Sequence, residues 1–401
     1  MPFKETCPVE ERVAMFFDYD TGVFTVRDLC RRHGVTPDTF YRFKKRRDSG
    51  EVRWFEDRSR RPLACPHAVS AEQADAIVAL RRRFSTFGPK KLKAWLERTE
   101  PGLSWPAAST IGDILDRARL VAPRRSRRRA IPQGEVIDSA TMPNAEWPID
   151  FKGWFRTRDG SRCDPLTVTD SASRYLLAAV IVPPTHAGVK SALERLFAEV
   201  GLPDAIRSDN GAPFGSTGAG GLSRLSVWLL KLGIEPRHIP PASPQDNGRH
   251  ERMHRTLKAE TTRPPEPTIA EQQTRFDGFR RFYNEERPHE ALAQTPPSSH
   301  WRPPERRLPK VIERPWYDAN HEVRNVRPQG QIKWRGEQVF IGEAFVGEPV
   351  GLKEREDGRH LVRFCHRDLA VIDREFRFHR FAPPRARMRV AAEAEFGTKE
   401  E

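Results

Sequence analysis

Hydrophobic positions follow three successive spacing patterns along this chain. In the first 122 residues they recur at every third or fourth position, the period of an amphipathic helix. In VEERVAMFFDYD, one helical face carries Val9, Val13 and either Phe16 or Phe17. In TVRDLCRRHGV the apolar positions are Val26, Leu29 and Cys30, and Gly34 is a stop signal. Thr36-Pro37 pairs an N-cap with a proline suited to the first helical turn. The helix it opens turns Phe40 and Phe43 inward and leaves Thr39, Tyr41, Arg42, Lys45 and Arg46 outward. Residues 1–60 therefore read as a helix-turn-helix domain. Its basic second helix suits the DNA major groove, and a helical packing module with a solvated charged face is the alternative.

Residues 51–68 are polar and Pro-containing, as in a linker. Residues 69–122 repeat the three-helix pattern. Ser70 and Gln73 have capping-box spacing, followed by Ile77, Leu80 and Phe84, then Leu92, Trp95 and Leu96, then Ile111, Ile114 and Leu115. A second helix-turn-helix-like domain is expected there, followed by an arginine-rich linker at 123–139. Such a run is either a solvated tether or a phosphate-tracking one.

From about residue 140 to 304, strand and helix signals alternate as in an α/β domain. EWPIDFKGWF alternates, with Trp147, Ile149, Phe151 and Phe155 on one side and Asp150, Lys152 and Trp154 on the other. RYLLAAVIV is a continuous apolar run, as expected of a central strand. The Gly-rich GSTGAGG (215–221) lacks the GK[ST] ending of a phosphate cradle and reads as a mobile loop. Between 322 and 380, short strands divided by turn residues predict a small antiparallel β-barrel. Residues 381–401 read as a disordered tail.

Charge then narrows the partner. The 401 residues carry a formal net charge of +14, with 55 Arg against 14 Lys. A basic excess of this size points to nucleic acid or an anionic membrane. The longest apolar stretch, Tyr175 to Val182, is far shorter than the roughly 18 residues that span a bilayer. The Arg bias suits phosphate and guanine recognition, and a GC-rich genome explains it equally well. Five scattered cysteines without CxxC spacing suggest neither a disulfide framework nor a structural zinc site, and fit a reducing cytoplasm.

Against this basic background three carboxylates stand out: Asp150 in WPIDFKGWF, Asp209 in AIRSDNGAPF and Glu251 in SPQDNGRHERMHRTLK. Each has an ordinary explanation. Asp150 could be ion-paired, Asp209 could form an Asx turn, and Glu251 could favour a helix N-terminus. Glu251, Arg255 and Lys258 share one helical face, as an i,i+4 salt bridge or as one carboxylate followed by two phosphate-binding cations. Asp170 and Asp246 read as capping residues, His254 as a surface or packing residue with lining of the site as the alternative, and Glu260 as too distant to join the trio.

WPIDFKGWF, SDNGAPF, SPQDNGRHERMHRTLK and YNEERPHEAL together resemble the core of insertion-sequence transposases of the DDE class, which share that core with retroviral integrases. The resemblance covers roughly 140–300, and the flanking regions match more loosely. It implies an RNase H-like fold with Asp150 on the first strand, Asp209 after the fourth and Glu251 on a later helix. It also implies that these three bind two Mg²⁺ or Mn²⁺ ions, and that Lys258 contacts the transposon end. Forty-one residues separate Asp209 from Glu251, more than in many relatives, and the Gly-rich loop accounts for the excess. The expected activity is DNA cleavage and strand transfer at terminal inverted repeats, by a homo-oligomer on double-stranded DNA in a bacterial, nucleoid-associated setting. The alternatives are a catalytically silent DNA-binding regulator and, less suited to two helix-turn-helix units, a nuclease acting on RNA–DNA hybrids.

Overall fold

The structure, a computed structural model, describes residues 7–60, 68–121, 142–216, 218–239 and 248–381. Both the arginine-rich linker and the residues from 382 onward lie outside the described residues, as does Asp246. Packing divides the chain into two units, Met1–Val69 and Ser70–Glu401.

The first unit holds α1 (Pro8–Asp20), α2 (Val26–Arg32) and α3 (Pro37–Asp48). Side chains of Cys7, Thr25 and Thr36 cap them by accepting backbone N–H bonds. Met15, Phe16, Leu29, Cys30, Phe40 and Phe43 form the core. The expected inward face of α1 needs correction. Val13 and Phe17 are 45% and 72% exposed, and Met15 lies inside instead. Phe16 stacks on Phe40 at 5.0 Å and meets Trp54 edge-on at 4.7 Å, which rotates the buried row of α1 toward Met15 and Tyr19. Trp54 also shows that the segment just after α3 is part of this module and no linker.

In the second unit, α4 (Ala71–Arg83), α5 (Pro89–Thr99) and α6 (Ala108–Arg117) come first. Ser70 caps α4, but the Gln73 amide donates to the Ser104 carbonyl, so only half of the capping box forms. Phe84 stacks on Phe282 at 5.1 Å, with Phe87 and Trp95 beside them, so these helices are seated on the domain that follows.

That domain contains β1 (Trp147–Phe151), β2 (Phe155–Arg156), β3 (Arg162–Cys163), β4 (Pro165–Thr169), β5 (Leu176–Ile181), α7 (His186–Val200), β6 (Ala205–Ser208), α8 (Arg224–Lys231), β7 (Glu235–His238), α9 (Gly248–Thr261) and α10 (Ile269–Glu285). The main sheet has the order β5-β4-β1-β6-β7. β5, β4 and β1 run antiparallel, while β1, β6 and β7 run parallel. Alternation splits the residues between two faces. Trp147, Ile149, Leu166 and Val168 pack against α7 and α8, and Leu176 and Ala179 pack against α9 and α10. The β2–β3 hairpin was not legible in the sequence. Gly153 at φ +87° and Gly160 at φ +85° make its bends.

The C-terminal strands are β8 (Glu322–Asn325), β9 (Gln331–Trp334), β10 (Glu337–Phe340), β11 (Pro349–Glu354), β12 (His360–Phe364), β13 (Arg367–Ile372) and β14 (Phe378–Arg380). They form an open sheet, β14-β13-β12-β11-β8, and a β9–β10 hairpin, so the expected closed barrel is corrected to antiparallel sheets. The apolar face is covered by core residues instead of by closure. Ala219, Leu222, Val227 and Leu230 join Phe345, Val350, Val362 and Leu369 in one cluster. The Gly-rich segment, expected as a mobile loop, is in part packed here. It contributes a buried 3₁₀ turn, Ala219–Gly221, that plugs into this sheet.

Candidate active site

β1 and β6 lie side by side and parallel, with Trp147 opposite Ile206 and Pro148 opposite Arg207. That register ends at Pro148–Arg207; Asp150 stands two residues further along β1, and Asp209 two residues beyond Arg207, just past the end of β6 at Ser208. This is the carboxyl end of two neighbouring parallel strands, where α/β sheets collect ligands. Asp209 is exposed, and its Oδ1 accepts from the Gly211 N–H at 3.2 Å, the Asx turn that its sequence suggested.

Across the antiparallel pair, Asp150 faces Thr167 of β4. Directly opposed residues share a sheet face. Thr167 is fully buried, and its hydroxyl is the meeting point of three bonds. It lies 3.1 Å from the Asp150 carbonyl, 2.6 Å from His250 Nε2 and 2.7 Å from His254 Nε2. The carbonyl can only accept, so the hydroxyl proton goes to it and both imidazoles donate through Nε2. His250 Nδ1 is then left to accept from Thr169 Oγ1, at 3.3 Å. Burial holds both rings neutral, pushing His254 down to about 3 and His250 well below the usual histidine value. These two histidines flank Glu251 on α9. The helix bearing the third carboxylate is thus fastened to the strand beside the first, on the same face of the sheet.

Glu251 itself is exposed in the first turn of α9. Among the described residues, no group of three or more His, Cys, Asp or Glu side chains stands close enough to hold a metal ion. The fold thus places Asp150 and Asp209 at the carboxyl ends of adjacent strands, and Glu251 on the helix bonded to the next strand. Their carboxylates are hard oxygen donors of the kind a Mg²⁺-like cation takes.

Cations border this end of the sheet. Arg255 and Lys258 are exposed on α9. Half-buried Lys152, two residues past Asp150, has its ammonium pushed down by burial and by Lys258 and Arg263 nearby. Its position on the Asp150 face was legible, but its place among these cations was not. Asp170 and Glu260 behave as expected. Asp170 accepts from Asn144 N–H and Ser173 N–H, both at 2.7 Å, and Glu260 pairs with Arg287 at 2.7 Å. In the first unit, Tyr41, Arg42 and Lys45 are exposed on α3 as predicted, whereas Thr39 bonds to Thr36. Arg46 departs from expectation. It is held bidentate by Glu51 (2.7 and 3.1 Å) and donates to the Glu56 carbonyl, so it fastens the module internally.

Two integrase core domain families match residues 140–244 and 232–297. A homeodomain-like domain matches 39–115, and the C-terminal domain of IS481 family transposases matches 321–378. Together these matches support an insertion-sequence transposase of the DDE/integrase superfamily. It is 27% identical over 298 residues to the insertion element IS476 uncharacterized 39.2 kDa protein of Xanthomonas euvesicatoria, covering 74% of this chain and 78% of that protein. It is 28% identical over 229 residues to the IS407 uncharacterized 31.7 kDa protein of Burkholderia multivorans, covering 56% and 79%. Among solved structures, a chain of the simian T-cell lymphotropic virus intasome in complex with a PP2A regulatory subunit overlaps 77% of this transposase and 100% of its own length, at 17% identity and a TM-score of 0.36. The homeodomain-like match runs across both helical regions of the transposase. No described helix is long and apolar enough to cross a membrane.

Proposed function

We propose that this transposase binds the terminal inverted repeats of its element and catalyses DNA cleavage and strand transfer with Asp150, Asp209 and Glu251 as metal ligands. What supports the proposal is the parallel β1–β6 pairing just short of Asp150 and Asp209, with the helix of Glu251 bonded through His250 and His254 to the neighbouring strand. A divalent cation held by these carboxylates would supply Lewis-acid polarisation of a phosphodiester and of the attacking oxygen. The protein's share is positioning. Lys152, Arg255 and Lys258 offer charge to the phosphates on either side of the scissile bond. Tyr41, Arg42 and Lys45 present a basic, aromatic helix face to the groove of the end sequence. Water attacks the phosphorus at the element's end and the 3′-oxygen leaves as a hydroxyl. That hydroxyl then attacks a target phosphodiester in line, expelling a target 3′-oxygen. Joining two ends together calls for at least two copies of the chain on DNA.

The test is cleavage and strand transfer with Mg²⁺ on cognate ends. Asp150→Asn, Asp209→Asn and Glu251→Gln should each abolish both steps while end binding persists. Full activity in Glu251→Gln would remove the third ligand from the proposal. A wild-type chain that binds ends but never cuts them would favour a silent regulator.

A further inference from the structure

Immediately beyond Asp150 the chain leaves β1, turns at Gly153 in the left-handed region (φ +87°) and presents Trp154 before entering the β2–β3 hairpin. Trp154 is 58% exposed. Two guanidiniums stand over its ring, Arg156 at 5.9 Å and Arg162 at 5.2 Å, from positions paired across the hairpin. Arg162 is oriented by a fork onto Asp164 with two 2.8 Å bonds, and Arg156 donates to the Gly160 carbonyl. Neighbouring Phe155, by contrast, meets Phe276 edge-on and belongs to the core. The hairpin thus turns one aromatic inward for stability and leaves the other in solvent beside fixed positive charge.

Four residues of chain reach at most about 14 Å, so the Trp154 Cα lies within roughly that distance of the Asp150 Cα. A nucleotide beside a phosphodiester held at Asp150 falls in the same range. An exposed aromatic flanked by cations is the arrangement that binds unpaired bases, the ring stacking on the base and the guanidiniums meeting the backbone. We infer that Trp154, with Arg156 and Arg162, is a stacking site for an unpaired nucleobase next to the scissile phosphodiester. On this view the transposase opens the duplex locally at the element's end and holds the displaced base on the indole. The site rests on the reading of Asp150 given above, and its failure is separable from the failure of that reading.

The experiment compares fully paired cognate ends with ends carrying a short mismatch at the terminal pairs, in Mg²⁺. Trp154→Ala should slow cleavage of paired ends about tenfold or more, the scale of one lost base stack. Mismatched ends should recover most of that loss, and Trp154→Phe should retain most activity on either substrate. With wild-type protein, 2-aminopurine at the terminal position should be quenched on binding, and in Trp154→Ala it should stay bright. Trp154→Ala that is equally slow on both substrates, or as fast as wild type on paired ends, overturns the stacking site. Wild-type protein that cuts neither substrate overturns the underlying active-site reading instead.

Discussion

Replacing Thr167 by valine keeps the shape of a fully buried residue and removes one hydroxyl. That hydroxyl satisfies two imidazole N–H groups and donates to the Asp150 carbonyl. Its loss leaves two donors without a partner, one of them on His250, which is only 3% exposed. An unsatisfied buried donor costs about 1–3 kcal/mol, so the pair costs about 3 kcal/mol once some relaxation is allowed. The other consequence concerns position. α9 still packs through Met253 and Leu257, but its first turns lose their bond to β4. A displacement of about 1 Å at a catalytic group lowers rate by about 100-fold. Thr167→Val should therefore lower the denaturation midpoint of the second unit and reduce Mg²⁺-dependent cleavage by about two orders of magnitude, while DNA-end binding changes little. Thr167→Ser keeps the hydroxyl and should restore both. Cleavage within threefold of wild type in Thr167→Val would refute the idea that this bond sets the position of Glu251.

Other outcomes follow from single observations. Lys91 is held down to about 8 by burial first and by Arg287 next. A lysine whose folded pKa is depressed destabilises the folded state while charged, below about pH 8, and that penalty fades as pH rises toward 10.5. Lys91→Met should therefore raise the denaturation midpoint at pH 7 and make no difference near pH 10.5. Gly220 sits at φ +62° with Leu369 3.5 Å from where a Cβ would stand. Gly220→Ala should cost about 1–2 kcal/mol, seen as faster proteolytic release of the C-terminal sheet. In the first unit, Arg46→Ala should lower the denaturation midpoint. Arg42→Ala should leave the midpoint alone and weaken end binding with a shallower salt dependence.

The helices and most of the sheet strands were legible because burial on one side writes a period into the sequence. α3 shows this, with Phe40 and Phe43 inward. Periodicity failed where tertiary contacts chose between neighbours, as when Trp54 drew Met15 inward and left Phe17 in solvent. It also failed at the C-terminal sheet. Alternation gives a strand its two faces but not what covers the apolar one, and Leu222, Val227 and Leu230 replace barrel closure. Asp150, Asp209 and Glu251 stood out as candidates because carboxylates in such contexts are unusual in so basic a chain. The Thr167 hub was not visible, since a threonine in a strand is ordinary. The spacing of His250 and His254, one helical turn apart, was the one available sign.

The central claim is that three carboxylates distant in sequence share divalent ions when DNA is bound. The most direct measurement is Mn²⁺ titration into the complex of the transposase with cognate ends, followed by water-proton relaxation, for wild type, Asp150→Asn, Asp209→Asn and Glu251→Gln. Bound Mn²⁺ in wild type, sharply weakened in all three variants together with loss of cleavage, is the predicted result. Equal Mn²⁺ affinity in Glu251→Gln and wild type, with cleavage intact, would contradict it.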